Sequence, residues 1–217
     1  MAAPSMSMNK TIHCAVRRDL KRFRAALDAF PDGDRDRAAA LHRAWQNFDA
    51  QLTEHHEGEH EIAWPALKAM GVAESSISTF DEEHDAMAAD LTATRAAMDQ
   101  FARSASRADA DAAAAAMAKL ETTTVTHLEH EEQETEPVLA ANVDHPAYKQ
   151  MARQFSRRSG MATAGTFFAW MDDGASPEER AAIRENVPGP VLTIMGTIFG
   201  RKYRKEVAPV WASSGSS

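Results

Sequence analysis

The 217-residue chain is predicted to be all-α, an up-down-up-down four-helix bundle with a C-terminal helical appendage. Three observations predict it. Alanine is abundant, glycine is sparse at 10 residues, and β-branched residues are few, a composition that favours helix over strand. Four long stretches carry apolar residues at alternating three- and four-residue steps, the spacing of one buried helix face. The chain also repeats itself: His13 and His84 are 71 residues apart, His55 and His127 are 72 apart, and Glu59 and Glu131 are 72 apart. Pro65 and Pro137 follow the two glutamates at the same offset, so each half reads as a helical hairpin with one lone His and one His-x-x-x-Glu pair.

The elements follow in order. Helix one is predicted from near Ser7 to Phe30, where Pro31-Asp-Gly-Asp stops it, with a seam of His13, Val16, Leu20, Phe23, Leu27 and Phe30. Helix two starts at Asp34 or Asp36 and reaches Met70, with Gly71 just past its end; its seam is Leu41, Trp45, Phe48, Leu52, His55, Glu59 and Ile62. Helix three runs from Ser76, as N-cap, to Arg103 on Ile77, Phe80, His84, Met87, Leu91, Thr94, Met98 and Phe101. Helix four begins after Ser106 or Asp109 and ends at Ala141, its seam being Ala113, Met117, Leu120, Thr124, His127, Glu131, Glu134 and Val138. These four make residues 8–141 one bundle. Residues 142–211 break the repeat and are predicted to pack on it as three further helices: Pro146 to Met171, one opened by Ser176-Pro-Glu-Glu, and Pro190 to Val207. Residues 212–217 (ASSGSS) read as a disordered tail.

His13, His55, Glu59, His84, His127 and Glu131 occupy seam positions where the pattern otherwise demands a buried apolar side chain. Helices one and three carry their His early, and helices two and four carry theirs late, so in an antiparallel bundle the four contributions share one layer. A His and a Glu four residues apart project from one helix face and can reach the same ion. Two buried carboxylates without a cation would be strongly disfavoured. Four nitrogens and two carboxylates exceed a closed tetrahedral zinc site, and the mixed donors without thiolate suit iron or manganese. Two bridging carboxylates would hold two ions; one octahedral ion is the other arrangement. His42, His60 and His145 lie off the seams and are expected in solvent, whereas His56 and His130 flank them. Cys14, next to His13, points about 100° away and reads as structural.

Composition narrows the function classes. The net charge is −8, from 24 Lys and Arg against 32 Asp and Glu, which argues against nucleic acid and anionic membranes as partners. A single cysteine favours a reducing compartment, and residues 1–10 lack the apolar core of a secretory signal, so a cytoplasmic protein is expected. No Gly-rich phosphate loop, catalytic triad or Cys-x-x-Cys is present.

The segments His55-His-Glu-Gly-Glu-His-Glu-Ile-Ala-Trp-Pro-Ala-Leu and His127-Leu-Glu-His-Glu-Glu-Gln-Glu-Thr-Glu-Pro resemble the paired motifs of hemerythrin-like (HHE cation-binding) domains. His13 and Glu83-His84 match the other two helices, and the resemblance spans about residues 8–141. It implies a non-haem di-iron centre, oxo- or hydroxo-bridged, on His13, His55, Glu59, His84, His127 and Glu131, with iron ahead of manganese or zinc. The chain departs from the oxygen carriers of that family. They bring two histidines four apart on the third helix, where Phe80 and Ala88 stand either side of His84 here, and their fourth-helix pair is His-x-x-x-x-Asp. These departures argue against reversible oxygen carriage. His56 and Glu134 are candidates for additional ligands.

Three functions follow, in order. The first is a di-iron protein that binds or reacts with dioxygen, nitric oxide or hydrogen peroxide in sensing, detoxification or redox response, catalase-like peroxide decomposition among them. The second is iron storage or delivery. The third is a metal-independent helical interaction module, with the C-terminal helices as a surface for a protein partner or a second copy.

Overall fold

The computed structural model describes residues 6–158 and 160–212, and among these only helices and turns occur. Helix α1 (Met8–Asp28) is opened by Ser7, whose side chain accepts from the Lys10 N–H. Helix α2 (Arg35–Gly58) is opened in the same way by Asp34. It continues without a break into a π-helical segment, Glu59–Ala63, and then α3 (Trp64–Ala69). Gly71, at φ +103°, ends the run in the left-handed region that only glycine adopts freely. Helix α4 spans Glu74–Ser104 and α5 spans Arg107–Ala141, the latter capped by Ser106 onto Asp109.

Two boundaries of this half differ from expectation. Helix α4 starts on Ala73, which has no side-chain cap, so the predicted cap Ser76 lies inside the helix. The π segment is the second difference. Pro65 has no N–H to donate and its ring crowds the carbonyl four residues back. The helix is widened at this point, with the Trp64 N–H reaching Glu59 O five residues back. One residue is thereby inserted, and the buried stripe moves from the expected Ile62, which is half-buried, to Ala63 and Trp64. Pro137, its counterpart in the repeat, is accommodated inside α5 without such a segment.

Helix α5 packs along α4 and α1, and α2 packs along α4 and α1. The seams meet in one core: Val16, Leu20, Phe23 and Leu27 with Leu41, Trp45, Phe48, Leu52, Leu91, Met98, Phe101, Met117 and Leu120. A smaller apolar cluster, Ala63, Trp64, Leu67, Val72, Ile77, Phe80 and Leu139, closes the other end. In α2, α4 and α5 the His and Glu residues of interest fall, along the chain, between members of these two clusters. They are thus embedded between two apolar plugs.

The C-terminal third has more elements than the three predicted. Helix α6 (Pro146–Arg158) and α7 (Met161–Asp172) replace the single expected helix, since Gly160 is an extended N-cap (φ −66°, ψ 160°) that breaks it. Helix α8 (Pro177–Asn186) has the predicted start, a capping box between Ser176 and Glu179. The last predicted helix divides into α9 (Gly189–Ile194), a π segment (Met195–Phe199), a turn at Gly200, and α10 (Arg201–Glu206), followed by α11 (Ala208–Ala212). Trp170, Met171, Ile183, Tyr203, Val207 and Val210 join the main core. Trp170 also donates to Asp19 Oδ2 at 2.7 Å, and Arg18 and Arg22 flank that buried carboxylate. Of the predicted tail only Ala212 is described, as the end of α11; residues 213–217 lie outside the described residues. No helix among the described residues is long and apolar enough to cross a membrane.

Candidate metal centre

Each of α1, α2, α4 and α5 delivers imidazole or carboxylate to one layer. Their donor atoms form two groups, each with atoms within 4.8 Å of one another: His13, His55 and Glu59, and His56, Glu59, His84 and His127. Glu59 belongs to both. Its Oε1 stands 3.1 Å from His55 Nε2 and 4.0 Å from His13 Nε2, while its Oε2 stands 3.4 Å from His84 Nε2. Within the groups, His13 Nε2 is 3.1 Å from His55 Nε2, and His84 Nε2 is 3.0 Å from His127 Nε2. Glu131 adjoins the first group, its Oε2 lying 3.2 Å from His13 Nε2.

The six seam residues named from the sequence are therefore brought together. Of the two additional candidates, His56 is brought in and Glu134 is not. His56 follows His55 by about 100° of helix rotation, and α2 lies against both α1 and α4. The neighbouring imidazoles thus face different helices: His55 meets His13, and His56 stacks on His84 with ring centroids 4.4 Å apart. Glu134 is exposed and accepts from Ser76 Oγ at 3.4 Å. The buried stripe of α5 steps by four from Glu131 to Thr135 and Leu139, which turns it toward the apolar plug and leaves Glu134 outside.

Sequence reasoning missed the residues that aim the imidazoles. Glu132 accepts from His13 Nδ1 at 2.9 Å and from Arg17 at 2.6 Å. Glu83 accepts from His127 Nδ1 and from His130 Nδ1, both at 2.8 Å. With Nδ1 donating outward, Nε2 of His13 and of His127 is turned to the interior, the orientation that metal-bound histidines share. Asn9 holds Glu131 through Oε1 at 3.0 Å, and the Trp64 ring stacks over His84 at 5.6 Å. The sequence signal was present in the acidic neighbours Glu83 and Glu132, which each adjoin a ligand-type residue, but a charged doublet reads as a solvated face until its partner helix is known.

Electrostatics express the crowding. Burial opposes charge on His13, yet Glu131, Glu132 and Glu59 outweigh it and raise its pKa well above the usual imidazole value. Burial lowers His55 and His127 to about 4 and holds His56 well below its ordinary value. Burial and the charge of Glu59 push Glu131 up to about 7. Burial also works against the charge of Glu59, but His55, His13 and His84 more than offset it, so Glu59 stays ionised.

Both Glu59 oxygens, Glu131 Oε2 and His56 Nε2 are buried with no hydrogen-bond partner among the described residues. An unpartnered buried polar atom costs about 1–3 kcal/mol, and here four converge on one layer. A cation on these atoms removes that cost, so the donor set fits a metal. It is built of imidazole nitrogen and carboxylate oxygen. Cys14 belongs to neither group, and burial together with Glu179 pushes its thiol pKa up. The two groups differ in exposure: His13 is fully buried, whereas His56 and His84 line an open groove with Glu57, Glu61, Asp85, Ala88 and Arg95.

A family model described as the hemerythrin HHE cation binding domain matches residues 8–139, more than half of the chain. Neither the curated proteins nor the solved structures give a significant match. The matched segment ends in the last turn of α5, and it contains every residue of both donor groups, so the chain belongs to the hemerythrin HHE cation-binding domain family.

Proposed function

We propose that this chain is a non-haem di-iron protein that binds or reacts with a small neutral ligand, dioxygen, nitric oxide or hydrogen peroxide, in sensing, detoxification or redox response. The observation that carries it is Glu59, one buried carboxylate with an oxygen in each of two imidazole groups. His13, His55, Glu131 and Glu59 Oε1 would hold one ion; His56, His84, His127 and Glu59 Oε2 would hold the other. Iron, when bound there, supplies one-electron redox chemistry and coordination positions that the protein leaves open. The remaining work belongs to the chain. Glu83 and Glu132 fix which imidazole nitrogen faces inward, the two apolar plugs exclude bulk water along the bundle axis, and the groove beside His56 and His84 admits a small molecule to the second group.

The positions of the donors also support the up-down-up-down arrangement of α1, α2, α4 and α5. Early residues of α1 and α4 meet late residues of α2 and α5. At the opposite end, the Gly33 N–H donates to Ala105 O at 2.8 Å, joining the α1–α2 turn to the α4–α5 turn. Residues 8–141 then form the metal-binding unit and 142–211 an extension packed on it.

The test is metal content per chain after growth in iron-supplemented medium, with an absorption spectrum of the same sample. Two irons per chain, and charge-transfer bands that shift with peroxide, nitric oxide or oxygen, are expected. A folded protein with no iron, or with bands inert to all three ligands, would overturn the proposal.

A further inference from the structure

The extension beyond the family segment reaches back to the site. Helix α6 lies against the π segment and α3. Arg158, near its end, binds three carboxylates of the helix that carries Glu59. Its Nε donates to Glu54 at 2.9 Å, its Nη2 lies 3.3 Å from Glu57, and its Nη1 is paired with Glu61. These three acids bracket Glu59 on both sides. One turn earlier in α6, Phe155 lies over Gly58: a Cβ there would stand 2.8 Å from the Phe155 ring edge. Gly58 has ordinary helical angles (φ −64°, ψ −38°), so its backbone does not require glycine. Glycine inside a helix costs about 1 kcal/mol against alanine; what it permits here is the close approach of Phe155. Further back, Tyr148 and Met151 pack on the apolar plug that contains Trp64, the residue stacked over His84.

We infer that α6 is a positioning strap for the metal centre: Phe155 and Arg158 hold the π segment in register and so fix the shared carboxylate of Glu59. A π segment is rare, appears mostly as a single widened turn inside an α-helix, and is frequent at functional sites. The corresponding proline in α5 sits in an unbroken helix without a π segment, so the proline alone does not impose the widened state. On α2 the outside selector is the Arg158 clamp on Glu54, Glu57 and Glu61, with Phe155 seated on Gly58. The inference rests on the di-iron reading for its consequence, but the strap itself can be tested without metal.

The experiment compares full-length wild type with Arg158→Glu, Phe155→Ala and Arg158→Lys, and with Arg153→Glu as the same charge reversal on an exposed residue of the same helix. Amide exchange of residues 59–64 is followed in metal-free protein. Iron-loaded protein is followed by absorption spectrum and by rate of iron loss to a chelator. Arg158→Glu and Phe155→Ala are expected to speed both exchange and iron loss by about tenfold, the usual scale for a group that orients a ligand, and to shift the bands. Arg158→Lys should restore most of this, and Arg153→Glu should behave as wild type. Unchanged exchange in both Arg158→Glu and Phe155→Ala overturns the strap whether or not the protein holds iron. Faster exchange with unaltered spectrum and iron retention overturns the positioning role. If the charge reversal fails to fold, Phe155→Ala decides. Wild type without iron sinks the di-iron reading alone, because the exchange data still judge the strap.

Discussion

Glu59→Gln separates the proposal from its alternatives because its effect should grow sharply with metal. The substitution keeps the shape of the side chain and removes one buried charge. In metal-free protein burial opposes that charge, but His55, His13 and His84 more than offset it, and the charge also helps push Glu131 up to about 7. Its loss should therefore cost the metal-free protein about 1–3 kcal/mol, the scale of one buried polar interaction lost. With metal the loss is larger. A unit charge pair at about 4 Å is worth about 4 kcal/mol at an effective dielectric of 20, or about a thousandfold in affinity per ion. Metal at a thousand times its dissociation constant stabilises by about 4.1 kcal/mol per ion, and this falls to about 0.4 kcal/mol when affinity drops a thousandfold. Two ions that share Glu59 would thus lose about 7 kcal/mol of linkage. At about 2–4 °C per kcal/mol for a chain of this size, the metal-induced rise in Tm should shrink by roughly 15–30 °C. Glu131→Gln, which adjoins only the first group through His13 at 3.2 Å, should remove about half as much. Paired thermal melts with and without iron measure both. Equal losses in the two variants would refute the shared-carboxylate argument, and an undiminished rise in Glu59→Gln would refute metal binding at this layer.

Four further outcomes are expected. His56→Ala should lower iron content from two per chain toward one, while Glu134→Gln should match wild type; metal analysis of both decides between them. Iron affinity should rise with pH between 6 and 8, because the carboxylates around His13 keep it protonated in the metal-free site and Glu131 titrates at about 7. Metal must displace those protons, so acid opposes binding by about tenfold per pH unit for each proton released, measurable by titration in matched buffers. Phe48→Ala, which empties a fully buried position between Phe23 and Trp45, should cost about 3–5 kcal/mol in denaturant unfolding. Trp170→Phe strips Asp19 of the donor at 2.7 Å and should cost about 1–3 kcal/mol, seen as earlier proteolysis of the C-terminal helices in a time course.

Much of this protein was legible in one dimension because helix burial is periodic. The seam of α1, from His13 through Phe23 to Phe30, is buried throughout, and the caps at Ser7, Ser106 and Ser176 work as their sequences indicate. Six site residues stood out by the same logic, as polar side chains at positions where the period demands apolar ones. Beyond that, the limits were physical. Periodicity assigns a residue to a face but not to a neighbour, so His56 and Glu134 were equal candidates until α2 was wedged between α1 and α4 and the α5 stripe turned toward Thr135. A proline marks trouble in a helix without saying how it is resolved, and Pro65 and Pro137 resolve it differently. Glycine signals were read as helix ends, whereas Gly58 sits mid-helix for the sake of Phe155.

By itself, then, the sequence determined the helices, their inward faces and the chemical kind of donor set, since these depend on local backbone preference and on burial repeated every few residues. Only the tertiary structure decided that Glu59 serves both groups, that Glu83 and Glu132 aim the imidazoles, and that α6 reaches back to the π segment. Those depend on distances between residues far apart along the chain, such as Glu132 to His13 and Arg158 to Glu54, which packing sets and no local pattern encodes.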